Sequence, residues 1–206
     1  MNNFTWILAF IGRPNAGKSS LISQLTALKP IIGRKPGTTR RINEYLLADK
    51  FKIIDAPGWG RIHNKSKGYE GHVKDSIINF FEENWFSIVT AILVIDVNSL
   101  IDVSERLTKK GIVPIDQELY DFLRSYKLVP IVAFNKMDKL PSENLDNVIT
   151  YFKKLVNYET LPKKFQEAFI PVSAKTGMNL EILRDLIRKY LKEKGAEEYE
   201  RFIKIR

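Results

Sequence analysis

The chain contains no cysteine, which excludes disulfides, thiolate catalysis and cysteine-ligated metals and points to a reducing compartment. No stretch approaches the ~20 apolar residues needed to cross a bilayer. The apolar opening Phe4–Ile11 lacks both a basic leader and a small-residue cleavage site, and it runs straight into a glycine-rich motif. It therefore reads as a buried first strand and not as a signal peptide. A cytoplasmic protein without stable membrane insertion is expected. Internal repeats, low-complexity tracts and Gly/Ser-rich linkers are missing too, so residues 1–206 are expected to form one domain and a monomer.

Acidic residues are scarce in one window. Residues 29–74 hold 11 Lys/Arg against 4 Asp/Glu, while residues 75–206 hold 20 of each sign; most of the net charge of +9 is thus concentrated. A merely solvated surface would spread that excess. Its concentration suggests an anionic partner, with nucleic acid the leading candidate.

What the chain does contain is an alternation of strand and helix signals. Phe4–Ile11, Ile88–Val97, Leu128–Phe134 and Phe169–Val172 are short apolar runs that read as buried strands, with Pro130 tolerable only near a strand's start. Glu44–Leu47 and Phe51–Ile54 flank Ala48-Asp49-Lys50 as a hairpin. Helical spacing marks the residues after Lys18, Val73–Trp85, Asp116–Tyr126 and a closing helix from about Asn179 to Lys194. This order implies an α/β fold with a mostly parallel sheet covered on both faces, and such sheets bind ligands beyond their carboxyl strand ends.

The motifs fall at those ends. Gly12-Arg13-Pro14-Asn15-Ala16-Gly17-Lys18-Ser19 matches G-x-x-x-x-G-K-S between a strand and a helix. Glycines let backbone N–H groups converge on a phosphate chain at the positive end of the helix. Lys18 is expected on the β- and γ-phosphates, and Ser19 on Mg²⁺. Asp55-Ala56-Pro57-Gly58 closes a strand with a carboxylate suited to hold Mg²⁺ through water and a Gly58 N–H suited to a γ-phosphate. In the loop Lys35-Pro36-Gly37-Thr38-Thr39-Arg40, one threonine hydroxyl is expected to complete the metal shell.

Asn135-Lys136-Met137-Asp138 selects the base. An aspartate accepts hydrogen bonds from guanine N1–H and the 2-amino group, which adenine cannot supply. The Lys136 stem can lie along the base, Asn135 can tie this loop to the phosphate loop, and Ser173-Ala174-Lys175 can offer a backbone N–H to guanine O6. A P-loop metabolic kinase would lack N-K-x-D. GTP and GDP are the expected ligands.

Together with Pro36-Gly37-Thr38-Thr39 and Asp55-Ala56-Pro57-Gly58-Trp59-Gly60, these motifs resemble the EngB (YihA/YsxC) family of translation-factor-related GTPases over nearly the whole chain. The stretches 61–85 and 102–114 depart from the bacterial pattern, which fits an archaeal branch. The resemblance implies a Ras-like P-loop NTPase fold with a six-stranded sheet of order 2-3-1-4-5-6, strand 2 antiparallel. It also implies a role in assembling the large ribosomal subunit and a link to cell division and septation. Only about 30 residues follow Lys175, too few for the RNA-binding or folate-binding modules of related GTPases.

Carried over motif by motif, the residues expected at the nucleotide are Gly12, Arg13, Pro14, Asn15, Ala16, Gly17, Lys18, Ser19 and Ser20; Gly37, Thr38, Thr39, Arg40 and Arg41; Asp55, Ala56, Pro57 and Gly58; Asn135, Lys136, Met137 and Asp138; and Val172, Ser173, Ala174 and Lys175. Alignment of the P-G-x-T loop puts the switch threonine at Thr39, so Ser19, Thr39 and Asp55 (through water) form the metal set. Lys18, Thr39 and Gly58 are the catalytic set.

The position that often carries a water-positioning glutamine holds Trp59, a donor-only side chain. Slow hydrolysis is expected, with His63 and His72 poor candidates for a base. Asn15 resembles the asparagine of potassium-dependent GTPases, so K⁺ is a further candidate. The γ-phosphate is expected to order loops carrying Arg34, Lys35, Arg40, Arg41, Arg61, Lys65 and Lys67, a face for ribosomal RNA or the large subunit. A GTP-binding scaffold without turnover and a membrane-associated septation protein are the competing readings.

Overall fold

Successive residues of the first apolar run turn to opposite sides. Ile7, Ala9 and Ile11 enter one buried cluster, and Leu8 and Phe10 enter another. That is the period-2 geometry of a strand buried on both faces. The same division recurs in the central run: Ala91, Leu93 and Ile95 lie on one side, Ile92 and Val94 on the other. The computed structural model describes residues 5–26, 28, 41–60 and 67–205, with the backbone alone for 67–70.

Among the described residues the strands β1 (Trp6–Ile11), β2 (Asn43–Ala48), β3 (Phe51–Asp55), β4 (Ile88–Asp96), β5 (Ile131–Asn135) and β6 (Phe169–Pro171) form one sheet. Its order is β2-β3-β1-β4-β5-β6. Only β2 runs antiparallel, paired to β3. The helices are α1 (Lys18–Leu25), α2 (Lys67–Asn84), α3 (Leu100–Thr108), α4 (Ile115–Ser125), α5 (Ser142–Leu155), α6 (Lys163–Gln166) and α7 (Leu180–Glu193). Apolar residues of α2, α4 and α5 cover one face of the sheet, and those of α1, α7 and the segment Glu197–Phe202 cover the other. The expected sheet order and the lone antiparallel strand are both found. No described helix is long and apolar enough to cross a membrane.

The differences from the expected elements have local causes. β5 begins at Ile131, directly after Pro130, which has no N–H to give a ladder. The hairpin turn shortens to Asp49-Lys50, and Ala48 pairs with Phe51. α2 starts at Lys67, six residues before the first apolar position of its stripe. α3, α5 and α6 escaped the sequence reading. α3 buries only Leu100 and Ser104, and α6 is a single four-residue turn. α5 does carry a readable stripe in Leu145, Val148 and Phe152.

The register sets the site. Phe10 pairs with Asp55, and Asp96 with Asn135, so three strands end in polar side chains at one rim of the sheet.

Candidate functional site

The chain leaves β1 at Ile11, turns through Gly12–Gly17 and enters α1 at Lys18. Within that turn Asn15 and Gly17 adopt φ of 62° and 101°. Lys18 is buried, and its Nζ donates to the carbonyls of Gly12 (3.2 Å) and Arg13 (3.0 Å). The ammonium is thus held at the mouth of the loop. Burial lowers its pKa to about 8, partly offset by the attraction of Asp55.

Asp55 is fully buried at the end of β3. Its Oδ2 accepts a 2.6 Å hydrogen bond from the Ser19 hydroxyl, while Oδ1 has no hydrogen-bond partner. Burial raises the carboxyl's pKa, against the opposing pull of Ser19 and Lys18. A buried carboxylate oxygen without a donor, beside a serine hydroxyl, fits a hard cation. Among the described residues no three His, Cys, Asp or Glu side chains gather to hold a metal on their own. The donor set therefore suits an ion that keeps waters and shares phosphate oxygens, as Mg²⁺ does.

After Asp55 the chain folds back over the loop. Ala56 N–H donates to Phe10 O (3.0 Å), and Trp59 N–H donates to Gly12 O (3.2 Å). Gly58 lies so close to Pro14 that an added Cβ would stand 2.5–2.7 Å from its ring and backbone. A residue with any side chain could not sit there.

The base-side motifs meet the same loop from the other end of the rim. Asn135 is buried; its Nδ2 donates to Ala16 O (2.9 Å), and its Oδ1 accepts from Ala174 N–H (3.0 Å). Lys136, in a left-handed conformation, donates to Asn15 O and forms an ion pair with Asp96, each at 2.6 Å. Met137 N–H reaches Val172 O (3.3 Å). Ser173 Oγ donates to Asp138 Oδ1 at 2.6 Å, and Thr176 N–H donates to Ser173 Oγ in turn. One face of the Asp138 carboxylate is thereby fixed from behind. Lys175 is exposed.

The expected residues Gly12–Ser20, Asp55–Gly58, Asn135–Asp138 and Val172–Lys175 thus converge on one rim. Gly37, Thr38, Thr39 and Arg40 lie outside the described residues, as do Arg34, Lys35, His63, Arg61 and Lys65. Arg41 and His72 are exposed. The Arg13 side chain points elsewhere: its Nη2 donates to Ser99 Oγ (3.1 Å), and its Nε lies 2.8 Å from Asp116 Oδ2. Arg13 therefore serves the loop through its backbone carbonyl.

Sequence reasoning missed Asp96, Ser99, Asp116 and Glu118. Asp96 had a signal, for it closes an apolar strand just as Asp55 does. Burial pushes its pKa up, but the Lys136 and Asn98 hydrogen bonds outweigh this and hold it below the ordinary value. The other three sit in segments whose position only folding reveals.

A family model described as "50S ribosome-binding GTPase" matches residues 7–136, and one described as "Elongation factor Tu GTP binding domain" matches residues 85–193. A probable GTP-binding protein EngB of Pyrococcus abyssi is 37% identical over 92% of this chain and 88% of its own length. One from Methanopyrus kandleri is 32% identical over 96% and 98%. A crystal structure of a probable GTP-binding protein EngB is 38% identical, covers 91% of this chain and 99% of its own, and superposes with a TM-score of 0.79. Era, in a crystal structure with MgGDPNP and nucleotides 1506–1542 of 16S ribosomal RNA, is 26% identical with a TM-score of 0.65 over 92% of this chain and 57% of Era.

Proposed function

This chain belongs to the EngB family of GTP-binding proteins, and on that premise we propose that it is a slow, Mg²⁺-dependent GTPase switch that acts in assembly of the large ribosomal subunit. The observation that carries the reading is the buried pair Lys18 and Asp55 with Ser19 bonded to Asp55, set against a guanine-reading Asp138 backed by Ser173. One end of the rim binds phosphate and a hard cation, and the other discriminates the base.

Each residue has a task in that chemistry. Lys18 neutralises phosphate charge, and the loop N–H groups from Asn15 to Ser19 cradle the phosphates. Ser19 and Asp55 hold Mg²⁺, which when bound spreads the negative charge that builds on the phosphate oxygens. Asp138 accepts from the guanine edge, and Asn135 keeps base loop and phosphate loop in fixed relation. Gly58 stands where its N–H can answer a γ-phosphate, and Thr39 is assigned the corresponding role in the preceding loop.

Hydrolysis is slow in this reading because the Trp59 indole is buried away from the loop, its Nε1 donating to Glu118 (3.2 Å). No side chain at that position orients a water. The same observation favours a second reading, a GTP-binding scaffold without turnover. Single-turnover phosphate release, with Lys18→Ala as control, separates them: release above the control supports the GTPase. Asn15 is exposed and its carbonyl is taken by Lys136, and K⁺ is assigned to its side chain. Equal turnover in KCl and NaCl would remove K⁺ from the scheme.

The ribosomal part draws support from the family description and from the concentration of basic residues in the window 29–74 of the sequence. Neutralising phosphates makes RNA binding steeply salt-dependent. Co-sedimentation with large subunits should be stronger with a non-hydrolysable GTP analogue than with GDP. Binding that ignores the nucleotide would refute the switch.

A further inference from the structure

Trp59 N–H is bonded to Gly12 O, so the backbone of the Asp55–Gly60 loop lies closed on the phosphate loop. Its side chain goes the other way, into the space between α2 and α4. There the indole packs against Phe122 of α4, ring centroids 5.2 Å apart, while Lys74 Nζ of α2 stands 5.0 Å above the indole ring. One carboxylate joins these elements: Glu118 Oε2 accepts from Trp59 Nε1 at 3.2 Å, and Glu118 Oε1 pairs with Lys74 Nζ. Two helical positions before Glu118, Asp116 holds Arg13 of the phosphate loop. The first turns of α4 therefore grip both the phosphate loop and the loop that closes on it.

We propose that Glu118 is a positioning residue for nucleotide discrimination: its carboxylate latches Trp59, and through Trp59 the Gly58 N–H, in the closed position that a γ-phosphate rewards. The inference rests on the GTP-switch reading above. A bland role exists for the same contact, since a buried indole N–H simply needs an acceptor. The two differ in what they predict. An acceptor alone supports folding and treats both nucleotides alike, whereas a latch on the closed loop favours GTP over GDP. Glu118 and Lys74 are both half exposed, with side chains 37% and 44% accessible. Their ion pair by itself is therefore weak, and the latch acts through the charge-assisted hydrogen bond to Trp59. Such a contact biases a two-state loop without locking it.

The test is the ratio of dissociation constants for GDP and a non-hydrolysable GTP analogue, measured by calorimetry with Mg²⁺. In Glu118→Ala that ratio should fall about 5-fold toward GDP, with GDP affinity itself changed less than about 2-fold. Trp59→Phe, which keeps the ring contacts and loses the N–H, should give the same fall. The double variant should be no worse than either single, because both remove one contact. Glu118→Gln keeps an acceptor oxygen and should stay within about 2-fold of wild type. Should Glu118→Ala fail to fold, Trp59→Phe carries the comparison alone. Equal weakening of both nucleotides, an unchanged ratio, or additive effects in the double variant would overturn the latch. A wild-type protein that binds GTP no better than ATP would overturn the switch reading, and the latch with it.

Discussion

Gly17 and Asn135 share one space: a side-chain carbon at position 17 would overlap the Asn135 amide nitrogen. Gly17 also holds φ at 101°, in the region L side chains avoid. The phosphate loop and the base-reading loop, more than a hundred residues apart in the chain, are therefore built to a single fit.

Gly17→Ala should for that reason cost about 2–3 kcal/mol of folding stability, combining backbone strain with displacement of a buried amide. Nucleotide affinity should fall by about two orders of magnitude or more, since the loop and the Asn135 contact are lost together. Urea unfolding and titration with a fluorescent GDP would measure both. A variant that binds GDP normally would contradict the geometry.

The guanine carboxylate depends on its support. Ser173→Ala removes the 2.6 Å hydrogen bond to Asp138 and should weaken GDP binding about 10- to 150-fold, the range for one hydrogen bond to a charged group. Asp138→Asn presents an amide where guanine needs a pure acceptor and should shift preference from guanine toward xanthine nucleotides. Competition between GDP and XDP reads out both variants.

Arg13 and Asp116 form an ion pair with little solvent access, their side chains 10% and 1% exposed. Burial raises the Asp116 pKa, and Arg13 opposes the rise. Asp116→Ala strands a buried guanidinium and should destabilise the protein by about 3–5 kcal/mol. Replacing both partners by apolar residues of similar volume should recover much of that loss. Denaturant midpoints of wild type and the two variants decide the matter.

Asp96 offers a pH test. Its folded pKa lies below the ordinary 3.8 because the Lys136 and Asn98 hydrogen bonds outweigh burial. The carboxylate therefore contributes stability that is fully present above pH 3.8 and is lost as pH falls through the lower folded value. Asp96→Asn should be about 1 kcal/mol less stable than wild type at pH 7, a partly exposed ion pair being modest. The gap should close in acid. A gap that stays constant from pH 7 to pH 3 would show that Asp96 matters through packing alone.

The chemistry was legible wherever backbone conformation and residue type coincide locally. Gly12–Ser19 could be read because glycines, lysine and serine occupy fixed offsets between a strand and a helix. Asp55, Asn135 and Ser173 could be read because each follows an apolar run, which places it at a strand end. Helices α3 and α6 were not legible: their apolar stripes are too short or too sparse to set a period. Glu118 and Asp116 were equally silent, since acidic residues in a helix's first turns look like ordinary partners of its dipole.

The sequence by itself determined the alternation of buried strands and covering helices, the phosphate loop and the preference for guanine. These depend on spacing along a few residues. Only the tertiary structure decided that Arg13 turns from the phosphates to Asp116, that Lys136 answers to Asp96, and that the Trp59 indole retires beneath α4 onto Glu118. Those outcomes depend on which helices pack beside the loops, and no local pattern carries the distance between residues 59 and 118 until the sheet has brought them together.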